Sequence, residues 1–416
     1  MDSTPDEATI TEAYVYLLGR ALVIRQERTD LSESGVTYNS IKYNPLGSAD
    51  FVNPNFDVAY LEAWLAADDK TPVILEVPPV TGRYYTAQIL DEWGEVIANI
   101  NERTFPTKPF GRFALVTPNS KPALPPDSSR IELHSRKAKM LARVELKGDP
   151  DGAVKLQKSF TITTAATPSI ETPVEIPMFD NKGLIGVELF ERSADILASA
   201  LDVAPNAAQM QEKVRAVAAH AASSADARAA VDALLRSKAI PEYKEYAMTK
   251  VAPIRNGWLG AAPSGNYGAD YRLRTMVNLM GIWGNTAGEV IYFGAFHEPD
   301  GKPLNGGRSY VMRFPADGLP DAVVNAYWSV ILVGVPDYRV VPNALERYNF
   351  NNHSPLQKEN DGSLKIGIGP KPVPGVPESN WLPSADGQPF SLTFRTYVPK
   401  DIVRTTWAPP PVKPIA

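Results

Sequence analysis

The sequence predicts a mainly β fold with helical insertions, and three observations carry that expectation. Proline is abundant, at 38 of 416 residues, about 9% against a usual share near 5%. Proline is poorly tolerated inside helices and central strands, so its abundance outside one segment points to many short strands joined by turns. Strand-like runs recur between clusters of Gly, Pro, Asn and Asp at the intervals typical of a sandwich or barrel. After about Gly183 the chain turns alanine-rich and proline-poor, which suits a block of helices.

In chain order, residues 9–28 read as a helix, with Thr9 or Thr11 as cap and Tyr14, Leu17, Leu18, Ala21 and Val23 as an apolar stripe. Residues 44–60 are turn-rich. Strands are expected at 72–77, 83–90, 95–100, 112–117, 130–134 and 139–146. A turn cluster at 148–152 follows, and 155–163 reads either as a further strand or as a short helix. Helices are expected at 187–201, 207–223, 225–237 and 270–283. Strands return at 291–296, 309–314, 326–333, 363–368 and 390–397, and the proline-rich tail from Trp407 is extended. Four segments result: an N-terminal helix and lead-in (1–40), a β-sandwich domain (41–183), a helical segment (184–289) and a second β-sandwich domain (290–416).

Composition excludes several classes of chemistry. The absence of cysteine rules out disulfides, thiolate nucleophiles and cysteine-held metals. A net charge of −5, with no basic block interleaved with aromatics, argues against a nucleic-acid partner. No apolar run reaches the length of a membrane span and no secretory leader is visible, so a soluble protein is expected, with cytoplasmic and exported settings both open. Nucleotide-binding glycine loops and the Gly-x-Ser-x-Gly elbow are missing, so no cofactor is expected. The four histidines, His134, His220, His297 and His353, have no metal-ligand spacing, and no metal site is expected; His297, beside Glu298 and Asp300, is the most suggestive of them. Asp300 to Gly306 reads as a tight hairpin rather than a calcium loop.

The chemistry-bearing stretch runs from Asn55 to Asp91. Strand alternation would aim Asp57, Arg83, Tyr85 and Asp91 at one shared face. Asp57 and Asp91 are the candidate acid and base, with Arg83 and Tyr85 stabilising developing charge. The structural alternative has Asp57 serving a turn and Asp91 ending a strand. Asn55, Tyr60, Trp381 and Tyr397 are candidate substrate-binding residues, Trp381 and Tyr397 as stacking platforms or, equally, as core.

The order of residues resembles a bacterial and viral family that joins two domains of unknown function, DUF1254 and DUF1214. The N-terminal likeness runs through Asn55, Asp57 and Tyr60, Gly82-Arg83-Tyr84-Tyr85, Asp91, Arg143 and Gln157. The C-terminal likeness runs through Tyr292, Asp300-Gly301, Tyr310, Tyr327-Trp328-Ser329, Arg347-Tyr348, Trp381, Arg395 and Tyr397. The resemblance implies two jelly-roll-like β-sandwich domains with helical additions, comparable by fold to carbohydrate-processing enzymes. Asn305 stands where the family turn often has Asp, which weakens any metal-binding role for that loop. The expected function is an enzyme of hydrolase or lyase type acting on a small organic or carbohydrate molecule. The alternative is a non-catalytic ligand-binding or structural module. A homodimer is the default assembly.

Overall fold

The structure, a computed structural model, describes residues 4–47 and 53–415. Positions 48–52 of the expected turn-rich segment lie outside the described residues. The chain opens with helix α1 (Glu7–Ser32). Strands β1 (Lys42–Tyr43), β2 (Val58–Ala66), β3 (Val73–Val77), β4 (Tyr85–Leu90) and β5 (Val96–Ile100) follow, then β6 (Gly111–Val116), β7 (Ser129–Glu132), β8 (Lys137–Glu145), helix α2 (Pro150–Gln157) and β9 (Thr161–Thr164). A helical stretch holds α3 (Glu188–Glu191), α4 (Ser193–Ala198), α5 (Ala207–Ala222), α6 (Ala225–Leu234), α7 (Ile240–Thr249) and α8 (Tyr271–Met280), interrupted by β10 (Ile254–Arg255) and β11 (Trp258–Gly260). The last part contains β12 (Val290–Ala295), β13 (Tyr310–Phe314), β14 (Trp328–Gly334), β15 (Asn349–Asn351), β16 (Leu364–Gly369), β17 (Trp381–Pro383), β18 (Phe390–Tyr397), α9 (Asp401–Thr405) and β19 (Lys413–Pro414).

The strands form four open sheets. In the first half, β1-β2-β8-β4-β5 faces β7-β6-β3-β9 across a core that includes Leu61, Leu75, Tyr85, Phe113 and Met140. In the second half, β10-β11-β12-β18-β14-β15 faces β17-β16-β13-β19 around Trp258, Phe293, Phe314, Trp328 and Phe394. Helix and strand are nearly balanced, at about 27% and 25%. The fold is therefore mixed α/β, which corrects the expectation of a mainly β chain. High proline content marks short strands and loops alike, so it overstated the strand share.

Helix α1 is the main source of that difference. From Ala13 to Ile24 it is buried on every side, packed against α3, α5, α8 and the short helices between them. A helix buried on all sides belongs inside a structure, so α1 is the centre of the helical layer. Its cap is Asp6, whose Oδ1 accepts from the Thr9 amide at 2.8 Å, rather than Thr9 or Thr11. Strands β10 and β11, inside the expected helical segment, extend the sheet of the second sandwich. The 300–306 loop also differs from expectation. Strands β12 and β13 lie in different sheets, so the loop crosses between layers and only a local His297–Pro303 bridge is hairpin-like.

Strand alternation decides what lies between the sandwiches. Along β2, Ala59, Leu61, Ala63 and Leu65 point into the core, and Val58, Tyr60 and Glu62 point away. Along β8, Met140 and Ala142 point in, leaving Arg143 and Glu145 outside. In the other sandwich, Phe293 and Phe394 point in, leaving Tyr292, Arg395 and Tyr397 outside. These two polar outer faces pack against each other, with Tyr84 of the first meeting Tyr327 and Tyr397 of the second.

Candidate functional site

A cavity of about 240 Å³ opens at the edge of that interface. Its wall from the first sandwich is Phe56, Asp57 and the loop from Glu145 to Pro150; its wall from the second is Tyr327, Asn351, His353 and Ser354. Asp57 and Glu145 come together because β2 and β8 are neighbours, with Val58 opposite Glu145 and the Leu146 amide donating to the Asp57 carbonyl at 2.8 Å. After β8 the chain turns sharply through two left-handed residues, Lys147 (φ 47°) and Gly148 (φ 73°). Glycine takes that conformation without strain; lysine does not, so the turn is held from outside. Arg83 holds it, donating to the carbonyls of Glu145, Leu146 and Asp149 and to the Asp149 carboxylate at 2.7 Å.

Asp57 is buried, and both Asn349 and Asn351 donate their side-chain amides to its Oδ1 at 2.7 Å. Its Oδ2 is buried with no partner among the described residues, and the same is true of the Tyr327 hydroxyl. Burial pushes the Asp57 carboxyl up, against the opposing pull of the asparagine amides, the neighbouring Ser329 hydroxyl and Arg395. Burial likewise holds the Tyr327 phenol well above its ordinary value. His353 Nε2 lies 3.0 Å from Glu145 Oε1, and the other Glu145 oxygen accepts from the Tyr84 amide at 2.8 Å. Facing a carboxylate, Nε2 is the nitrogen that donates. The site thus offers a carboxyl driven toward its protonated form, a phenol and an oriented imidazole around one small volume. That set can move a proton on and off a bound molecule.

Of the residues expected to act together, Asp57 alone lines this cavity. Arg83 stands behind it as the clamp on the 145–149 loop. Tyr85 points the other way: it is fully buried in the sandwich core, and its hydroxyl donates to the Pro109 carbonyl at 2.9 Å. Asp91 closes the turn after β4, accepting from the Trp93 and Glu95 amides and pairing with His134 at 2.7 Å. The shared face for Asp57, Arg83, Tyr85 and Asp91 is thereby corrected. Alternation along β4 holds, but the inward set is Tyr85, Ala87 and Ile89, and Tyr84, Thr86 and Gln88 face the other sandwich. Arg83 lies before the strand and Asp91 after it, where the pleat no longer sets direction.

Among the expected binding residues, Asn55 links the halves, donating to the Tyr397 hydroxyl at 2.6 Å and accepting from the Asp57 amide at 2.8 Å. Tyr397 stacks on Tyr327 with ring centroids 4.1 Å apart. Tyr60 lies under the Arg143 guanidinium, 5.5 Å from ring centroid to carbon. Trp381 is elsewhere, its indole nitrogen donating to the Gly369 carbonyl at 2.9 Å within the β16–β17 pair. His297 is not at the site. Among the described residues no group of three or more His, Asp or Glu side chains is placed to hold a metal, and no helix is long and apolar enough to cross a membrane.

Residues 36–164 match the family described as "Protein of unknown function (DUF1254)", and residues 289–401 match "Protein of unknown function (DUF1214)". The chain belongs to the two-domain DUF1254/DUF1214 family. Among solved structures it is similar to the VPA0106 protein from Vibrio parahaemolyticus, with 21% identity and a TM-score of 0.67 over 99% of this chain and 100% of that one. That likeness speaks to the fold alone. An uncharacterized protein from Burkholderia cenocepacia, at 13% identity and a TM-score of 0.45 over 100% of this chain and 90% of that one, is too distant to argue from. No curated protein matches the chain.

The two matched segments of this DUF1254/DUF1214 protein meet at the cavity, Asp57 and Glu145 from one and Tyr327, Asn351 and His353 from the other. Glu145, Asn349, Asn351 and His353 were not legible as site residues. Nothing local marks them, since their partners lie more than two hundred positions away. The available signal was the Asn349, Asn351 alternation, which places two amides on one face of a short strand, with His353 just beyond it.

Proposed function

We propose that the protein is an enzyme of hydrolase or lyase type that transfers protons on a small polar organic molecule bound between the two sandwiches. The observation that carries this reading is the pair of buried, unpartnered polar atoms, Asp57 Oδ2 and Tyr327 Oη, in residues that line the same cavity. Buried polar atoms are nearly always satisfied, and exceptions gather at sites that meet a ligand. Two asparagine amides occupy Asp57 Oδ1 and burial raises the carboxyl, so Asp57 is the acid, with Oδ2 as the oxygen that would carry its proton. His353, oriented by Glu145, is the base. In an elimination it takes a proton from carbon while the Asp57 proton goes to the leaving oxygen. In a hydrolysis it takes a proton from the attacking water, and Asp57 again protonates the leaving group. A sugar is one molecule of this class. A jelly-roll-like reading of each half is supported by the way successive strands switch between facing sheets, as β12, β13 and β14 do.

The test is turnover of a panel of small esters, glycosides and hydroxy acids by the wild type and by Asp57→Asn and His353→Gln. Loss of about 10²-fold or more in each variant, the scale of general acid–base catalysis, with little change in melting temperature, is expected. Substrate turned over equally well by all three proteins would sink the reading. A second reading, a non-catalytic latch between sandwiches, draws on the same Asp57–Asn349 and Asp57–Asn351 bonds. It requires Asp57→Asn to lower the melting temperature substantially.

A further inference from the structure

In the interface, besides the carboxylate cavity, two guanidinium groups are buried without a counter-ion among the described residues. Arg143 sits mid-sheet in the first sandwich, opposite Tyr60 on one side and Thr86 on the other. Arg395 sits mid-sheet in the second, opposite Tyr292 and Ser329. Each is 4% exposed. Arg143 donates to a neutral group, the Gln88 side-chain oxygen at 2.6 Å, and Arg395 donates to the carbonyls of Asn53 and Pro54 at 2.7 and 3.2 Å. Among the described residues no carboxylate lies within 4 Å of either. Their strand partners, Tyr60 beside Arg143 and Tyr292 beside Arg395, pack in one cluster with Tyr84, Tyr327 and Tyr397, so the pair shares one neighbourhood. Tyr327 of that cluster also lines the cavity, which ties this neighbourhood to it.

Two buried cations beside one cluster of phenols carry a heavy desolvation cost that neutral acceptors do not offset. Elsewhere in this chain buried arginines are paired: Arg274 makes a two-pronged contact with Asp202 at 2.8 Å, and Arg20 meets Glu92 at 3.0 Å. We infer that Arg143 and Arg395 form the receptor for an oxyanion, a carboxylate or phosphate group, carried by the small molecule that binds between the sandwiches. A planar fork of N–H donors suits such a group, and the half-buried Tyr60 and Tyr292 border it. The inference rests on the proposed site as the place where the rest of the molecule lies. It narrows the substrate class to anionic compounds, away from neutral sugars.

The test uses the full chain at neutral pH with malonate, inorganic phosphate, glycerol and sodium chloride at matched ionic strength, read by calorimetry and by melting temperature. Malonate or phosphate should bind saturably and raise the melting temperature above the chloride control, and glycerol should not; the stronger of the two identifies the oxyanion. Arg143→Gln should weaken that binding by about tenfold or more, the scale of a lost charge-assisted contact. Should it fail to fold, Arg143→Lys keeps the charge, loses the fork and should bind several-fold more weakly. His353→Gln should retain the binding. No saturable oxyanion binding by the wild type, or unchanged affinity in a folded Arg143 variant, overturns the inference. Oxyanion binding in a protein without turnover would remove the enzymatic reading and leave this one standing.

Discussion

Asp57 and Tyr85 are 28 positions apart in the same sandwich, and their environments assign them opposite roles. Asp57 has one oxygen saturated by two amides and the other unpartnered at a cavity wall. The Tyr85 hydroxyl is already satisfied by the Pro109 carbonyl, and its ring fills core. Tyr85→Phe should therefore leave activity intact and cost about 1 kcal/mol of stability, the usual worth of one hydrogen bond, measurable as a small shift in denaturant midpoint. Glu145→Gln belongs to the same scale. It keeps the size of the side chain but replaces the acceptor that orients His353 Nε2. The expected outcome is a changed pH profile of turnover with a melting temperature close to that of the wild type.

At the scale of elements, the sequence was most readable where periodicity coincided with strong residue preference. Strands rich in Val, Ile and Leu, such as β3 and β14, stood out, as did the alanine-rich helices α5 and α6. Strand β2 did not, although it pairs with β8 along its whole length. Its alternating Ala59, Leu61, Ala63 and Leu65 carry the right period but little β-branched character. Helix α1 crosses α8 at Gly19, where an added Cβ would lie 2.5 Å from Thr275 Oγ1. That hydroxyl is fixed by its bond to the Val15 carbonyl at 2.9 Å. Gly19→Ala should gain about 1 kcal/mol in helix propensity yet lose about 1–3 kcal/mol to overpacking. A net fall in thermal stability is the expected result, and a rise would show that the two helices can separate at this crossing.

At the scale of the molecule, three cores are joined through layers in which buried polar pairs lie beside small apolar clusters. The helical layer meets the first sandwich through Arg274, Asp202, Glu95 and the Asp91–His134 pair. Burial pushes the Glu95 carboxyl up to about 7, against the pull of Arg274. Unfolded, the same group titrates near its ordinary value of 4.5. Between these limits the folded chain binds more protons, so this group's contribution to stability falls as pH rises from about 4.5 to 7. The hydrogen bond that His134 donates to the Asp91 carboxylate raises His134, which extends the same trend above its unfolded value of 6.5. The melting temperature of Glu95→Gln should fall less between pH 5 and pH 7 than that of the wild type. An identical slope in the two proteins would remove Glu95 as the cause.

The sequence by itself determined the strand-rich character of the two ends of the chain, the helical character between them, and the family. A period of two says which residues of a strand share a face, and that alternation holds along β4 and β8. It does not say which face is covered by what. Docking of the two sandwiches decided that Tyr84 rather than Tyr85 looks across the interface. It also decided that Asp57 meets Asn349 and Asn351, and that Glu145 meets His353. Such contacts join residues that no local preference connects, so they exist only once both sheets are folded and packed face to face.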